Sequence, residues 1–177
     1  MKISITGTPG TGKTEVSKEL SKLLNYKYID LNKLAEEKEL IVGFDSKRKS
    51  KEIDEKKLKK LEIPDNSVID GHLSHLIPVD LVVVLRTRPD ILKKRLEKRL
   101  KENDWDRSKI QENLEAEILG ICSYEAFEES KKVIEIDTTN KTSENTAKTI
   151  KEMITKKQLK TKEIDWLEDY DSMIEKI

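Results

Sequence analysis

The eight residues Gly7-Thr8-Pro9-Gly10-Thr11-Gly12-Lys13-Thr14 constrain this chain more than anything else in it. They follow a short run, Ile3-Ser4-Ile5-Thr6, and lead into a stretch with Val16, Leu20, Leu23 and Leu24 on one helical face. Strand, glycine-rich loop and helix together are the context that a phosphate-binding loop requires. The glycines let backbone N–H groups turn inward around a phosphate, and the helix N-terminus adds partial positive charge. Within such a loop Lys13 reaches β- and γ-phosphate oxygens, and the Thr14 hydroxyl ligates Mg²⁺.

The rest of the chain alternates strand and helix. Tyr26–Ile29, Ser67–Ile69, Asp80–Leu85 and Val133–Ile136 read as further strands. The uninterrupted apolar run Leu81–Leu85 is what a central parallel strand covered on both faces needs. Asp30 is positioned to cap a helix carrying Leu31, Leu34 and Ala35. Gly43 and the charges around it predict a mobile loop from Ile41 to Glu52, and Leu58 and Leu61 a short helix before Pro64.

Pro89 opens a long helix with Leu92, Leu96 and Leu100 on one stripe and Arg95 and Arg99 a turn apart beside it. After a polar break from Lys101 to Ser108, Ile110, Leu114, Ile118 and Ile121 predict a second helix, with Cys122 near its inward face as core packing. Ala147, Ile150 and Ile154 mark another. Ile164, Leu167, Ile174 and Ile177 predict an amphipathic helix docked on the domain. The fold expected is α/β: a three-layer P-loop NTPase fold with a five-stranded parallel sheet and helices on both faces. Gly7, Asp70 and Arg86 fall at strand carboxyl ends, where such sheets bind ligands.

A chain of 177 residues suits one domain. Its 35 basic and 35 acidic residues cancel but are unevenly spread: segments 47–60 and 86–101 are basic and attractive to a phosphate-rich ligand or a nucleic-acid-containing partner, and 163–175 is acidic. One cysteine rules out an intrachain disulfide and favours a reducing compartment. With no apolar run of membrane-spanning length, a cytoplasmic protein is expected.

Among P-loop chemistries, a GTPase switch wants Asp-x-x-Gly and a base-reading Asn-Lys-x-Asp. Here Asp70 is followed directly by Gly71, and Asn140-Lys141-Thr142-Ser143 lacks the carboxylate. A small kinase needs a flexible acceptor-binding segment and a basic lid that closes over the transferring phosphate. Residues 30–53 suit the first and the Arg95/Arg99 stretch the second.

The phosphate loop, Val68-Ile69-Asp70-Gly71-His72, and Val84-Leu85-Arg86-Thr87 with Arg95-Leu96-Glu97-Lys98-Arg99 resemble the adenylate kinase isoenzyme 6 (CINAP) family, which includes archaeal adenylate kinases. Leu34-Ala35-Glu36-Glu37 and Asn113-Leu114-Glu115-Ala116-Glu117-Ile118 resemble it too. The likeness runs from Met1 to about Ile154, and its most distinctive part is the Asp-x-His element. That family often has Arg-Gly-Tyr where this chain reads Arg99-Leu100-Lys101.

The resemblance implies a single nucleoside monophosphate kinase domain over 1–177. Its NMP-binding segment would be 30–53, its lid about 98–108, and its helical tail about 160–177. It implies an adenylate kinase using ATP and AMP, with broad nucleoside monophosphate use and ATPase activity. A role in small ribosomal subunit maturation is also implied, with a platform ribosomal protein as partner and pre-ribosomal rRNA contacted indirectly. A ribosome-assembly ATPase with secondary kinase activity is the alternative.

Carried onto this chain, Gly10, Gly12, Lys13, Thr14 and Glu15 contact ATP and Arg99 is the lid arginine. Thr14 and Asp70 serve the metal, Asp70 through water as a Walker B carboxylate does. His72 hydrogen-bonds the γ-phosphate or orients an attacking water, and it titrates near neutrality. His75 is a weak metal signal, since two histidines lack a third ligand at suitable spacing. Asp137-Thr138-Thr139 follows the last strand, where small P-loop kinases pack the adenine.

Overall fold

The computed structural model of the chain describes residues 1–45, 50–100 and 107–174. The heart of the expected lid, 101–106, lies outside the described residues, as do 46–49 of the acceptor segment and 175–177 of the tail. The strands are β1 (Lys2–Gly7), β2 (Lys27–Asp30), β3 (Ile41–Asp45), β4 (Ser50–Ile53), β5 (Ser67–Asp70), β6 (Leu81–Arg86) and β7 (Val133–Asp137). The helices are α1 (Lys13–Leu24), α2 (Leu31–Glu37), α3 (Glu55–Leu58), α4 (Pro89–Leu100), α5 (Arg107–Ile118), α6 (Ile121–Glu129), α7 (Ser143–Thr155) and α8 (Leu167–Tyr170).

Among the described residues, five strands form one parallel sheet in the order β2-β5-β1-β6-β7. β6 explains why it reads as continuously apolar. Leu81, Val83 and Leu85 face one side, packing with Val16 and Leu20 of α1 and Ala147 and Ile150 of α7. Val82 and Val84 face the other, against Cys122 and Ala126 of α6. Each such fully buried aliphatic side chain contributes about 1.5–3 kcal/mol, so helix layers on both faces are what this strand demands. A third cluster, Ile29, Leu31, Leu58, Ile69 and Ile77 among its members, closes the β2 edge. There Asp30 caps α2, its carboxylate accepting from the Asn32 and Lys33 amides at 3.0 and 3.4 Å.

Three expectations are corrected. The expected loop from Ile41 to Glu52 contains an antiparallel pair, β3 with β4, in which Phe44 lies opposite Lys51 and Asp45 opposite Ser50. The inward stripe Ile110, Leu114, Ile118 does not continue to Ile121. Gly120 takes a left-handed φ of 64°, α5 ends at Ile118 and a separate helix α6 begins at Ile121, which is left 40% exposed.

The tail is not one amphipathic helix either. Its only helical pieces among the described residues are the four-residue α8 and a 3-10 turn at Asp171–Met173. Thr161 Oγ1 accepts the Glu135 amide at 2.9 Å, and the Ile164 amide donates to Glu135 Oε2 at 2.8 Å. The segment before α8 thus runs as a strap along the outer edge of β7, covering polar groups that an open edge would expose.

His75 is 2% exposed, its Nδ1 lies 3.3 Å from Thr6 Oγ1, and Glu125 Oε2 is 3.5 Å from its Nε2. Burial, helped by the nearby His72, pulls its pKa down to about 4. An unfolded chain takes up that proton near 6.5. Stability from keeping the ring neutral is therefore complete above about 6.5 and is lost as pH falls towards 4. Urea unfolding at pH 7, 5.5 and 4.5 should show a loss of up to about 3 kcal/mol that His75→Gln flattens.

Candidate active site

The carboxyl ends of β1 and β5 meet at the phosphate loop. Gly7, Gly10 and Gly12 hold φ of 133°, 96° and 96°, a region side chains rarely adopt. At Gly10 a Cβ would also come within 2.8 Å of Leu92 Cδ1 and 3.0 Å of Leu96 Cδ2, so α4 packs directly under the loop. At Gly12 a Cβ would meet nothing within 4 Å, so there the backbone conformation alone calls for glycine.

Lys13 folds back over the loop, its ammonium donating to the Gly7 carbonyl at 2.8 Å and the Thr8 carbonyl at 3.1 Å. Burial pushes its pKa below the usual lysine range and the Arg99 charge acts in the same direction, while Asp70 and Glu117 oppose it. Arg99 is thus close enough to the loop for its charge to register at Lys13. Glu15, in the first turn of α1, is exposed and lies 3.5 Å from the Lys18 ammonium.

Thr14 and Asp70 are in contact, the Thr14 hydroxyl donating to Asp70 Oδ2 at 2.7 Å. Tyr28, the second residue of β2, donates to the same oxygen at 3.0 Å, and burial raises its pKa above the phenolic norm. A hydroxyl and a carboxylate side by side, beside a lysine and a loop open to phosphate oxygens, form an oxygen donor set that suits Mg²⁺. The residues present fit the metal.

His72 follows Asp70 by two residues. Its side chain is exposed on one side, while Nδ1 lies 3.3 Å from the Gly7 carbonyl. A carbonyl only accepts, so Nδ1 carries the proton and Nε2 of the neutral ring keeps its lone pair. Desolvation on the protein side and the Lys13 ammonium both lower the His72 pKa, which favours that neutral form at pH 7. His75 points elsewhere, towards Thr6 and Glu125, so the two rings do not converge.

Arg95 is turned inward and partly buried. It donates to the carbonyls of Thr138 and Thr139 at 3.0 and 3.3 Å, to Thr87 Oγ1 at 3.2 Å and to the Gly10 carbonyl at 3.4 Å. It therefore staples the phosphate loop to the turn after β7, which Thr138 Oγ1 also joins by donating to the Thr11 carbonyl at 3.0 Å.

A family profile described as an AAA domain matches residues 3–120, from β1 to the glycine between α5 and α6. Over 178 residues the chain is 45% identical to a protein of Pyrococcus abyssi (strain GE5 / Orsay) named "Putative adenylate kinase", covering 98% of this chain and 96% of that one. A protein of the same name from Methanocaldococcus jannaschii is 42% identical over 175 residues, with 96% and 95% covered. The chain belongs to this archaeal family.

The family's fold is also that of shikimate kinase from Acinetobacter baumannii, with a TM-score of 0.61 at 18% identity over 90% of this chain and 95% of that one. Deoxyadenosine kinase from M. mycoides gives 0.58 at 18% identity, over 88% and 100%. The architecture is that of the P-loop kinases.

Two groups at this family member's site, the half-buried Tyr28 and the buried Glu117, were missed by sequence reasoning. Tyr28 reads only as a strand residue, and Glu117 as one more acid on a charged helix. Glu117 is 1% exposed and accepts from the phosphate-loop residue Thr8 at 2.6 Å. Its signal lay in its register, three residues after Leu114 on the inward stripe.

Proposed function

We propose that this chain is an adenylate kinase of the isoenzyme 6 (CINAP) type, making two ADP from ATP and AMP with Mg²⁺. In this reading it accepts other nucleoside monophosphates, has ATPase activity, and acts in the cytoplasm in small ribosomal subunit maturation beside a platform ribosomal protein. Contact with pre-ribosomal rRNA would be indirect. The observation that carries the kinase is the Thr14–Asp70 hydrogen bond at 2.7 Å, set beside the Lys13 ammonium in a glycine loop. The archaeal relatives' shared name supports it.

The residues divide the work. Backbone amides from Gly10 to Glu15 wrap the donor's phosphates, and Lys13 exchanges its two carbonyl partners for phosphate oxygens. Thr14 and Asp70 would hold the metal, Asp70 through water. Mg²⁺, when bound, neutralises charge on the β- and γ-oxygens. Arg99 adds a second cation from α4, and residues 30–53 hold the acceptor nucleotide in line. No covalent intermediate is needed, because positioning and charge account for the catalysis.

The ribosome-assembly ATPase reading draws on a specific feature, the His72 tautomer. With Nδ1–H turned to Gly7, Nε2 accepts a proton from water instead of donating to a phosphate, which suits hydrolysis. Chromatography of ADP and phosphate formed from ATP, with and without AMP, CMP, UMP and dAMP, tests both. ADP that rises with AMP supports the kinase. Phosphate release that ignores AMP but responds to the ribosomal protein overturns it in favour of the ATPase.

A further inference from the structure

Glu117 joins three parts of the chain that are remote in sequence. Its Oε2 accepts from Thr8 Oγ1 at 2.6 Å, while Oε1 accepts from Arg86 Nε and the Thr87 amide, both at 2.9 Å, and from the Trp166 indole N–H at 3.3 Å. Arg86 donates onward to Glu135 Oε1 at 2.8 Å and to the Ile164 carbonyl at 2.9 Å, and Glu135 holds the Ile164 amide. The strap is therefore gripped at Ile164 and Trp166 by one buried ionic network. The far oxygen of that network holds the phosphate loop.

We propose that Glu117 is a positioning residue for the phosphate loop, and that the strap at Ile164–Trp166 sets that position through it. The inference rests on the ATP reading above. Thr8 is 1% exposed and its hydroxyl points into the core, so Glu117 does not touch phosphate. It acts through Thr8, whose carbonyl accepts from Thr11 Oγ1 at 2.8 Å and from the Lys13 ammonium at 3.1 Å. A shift of Thr8 moves the group that grips the β- and γ-phosphates. The path runs Trp166, Glu117, Thr8, Lys13, each link a hydrogen bond. A carboxylate held by four donors has little freedom, so loss of one donor repositions it.

The test uses the full chain, with ATP affinity measured by calorimetry without AMP and unfolding followed in parallel. Thr8→Val removes the hydroxyl that meets Glu117, and Trp166→Phe removes the indole donor. Thr8→Val is expected to weaken ATP binding roughly tenfold, the worth of one lost charge-assisted hydrogen bond. Trp166→Phe should weaken it about threefold, and the double variant no further than Thr8→Val alone, because the strap acts only through Thr8. Thr8→Ser, which keeps the donor, should restore the parent's affinity.

If the double variant loses the product of the two single effects, or if Trp166→Phe lowers only the unfolding temperature, the coupling does not exist. A parent chain that fails to bind ATP overturns the nucleotide reading along with this one. Multiplicative effects in a chain that does bind ATP overturn this one alone.

Discussion

Lys13→Met is expected to lower ADP formation from ATP and AMP by about a thousandfold or more, with the fold intact. One preorganised donor aimed at developing oxyanion charge is worth 10²–10³ in rate, and a cation at the transferring phosphoryl group about 10³–10⁵. Methionine keeps the length of the stem and removes only the charge. Folding should change little, because two effects offset. The ammonium's bonds to the Gly7 and Thr8 carbonyls are lost, at about 1 kcal/mol each. The burial that holds the Lys13 pKa below its ordinary value no longer opposes a charge. Single-turnover rates at saturating ATP, read beside an unfolding curve within a few degrees of the parent's, separate loss of chemistry from loss of structure. Normal turnover in that variant would mean that the assigned site is wrong.

Where local pattern and tertiary contact agreed, the sequence was easy to read. β6 is an uninterrupted apolar run, β1, β5 and β7 are short aliphatic-rich stretches, and the phosphate loop is an eight-residue motif whose flanks confirm its context. The order β2-β5-β1-β6-β7 follows from them only through packing, since the expectation extended to five parallel strands but not to their neighbours.

The misreadings have physical causes. The β3–β4 pair, whose β4 carries the adjacent charges Lys51 and Glu52, has Val42 and Phe44 exposed, so no buried face imposes a period of two. Gly120 breaks a stripe that the periodicity of Ile110, Leu114, Ile118 and Ile121 carries straight through it. Nothing local tells a solver of patterns that Ile164 will bond to Glu135, and so an apolar spacing compatible with a helix becomes a strap. At the site, Lys13, Thr14, Asp70 and His72 gather because the chain returns β5 beside β1. Glu117 escaped notice because a buried acid looks like a surface one until its partner is known. That partner, Arg86, reads in the sequence as a strand-end residue and as part of the Val84–Thr87 motif, neither of which points to a buried acid.

Arg86→Met is the structural counterpart, expected to destabilise the protein by about 3–5 kcal/mol because it strands two buried carboxylates. Arg86 is 2% exposed, Glu117 1% and Glu135 3%. Burial works against the guanidinium charge, yet Glu117 and Glu135 outweigh it and leave the Arg86 pKa raised. With the arginine gone, each acid is left as a buried carboxylate without its cation. For a chain of this size the loss corresponds to a fall in unfolding temperature of roughly 6–20 °C. Isosteric neutralisation tells an unpaired charge from a simple cavity. The triple variant Arg86→Met, Glu117→Gln, Glu135→Gln should regain much of the lost stability, since a buried ion network replaced whole is often close to neutral. A triple variant that recovers nothing in calorimetric scans would mean that packing around Arg86, not charge, holds this corner together.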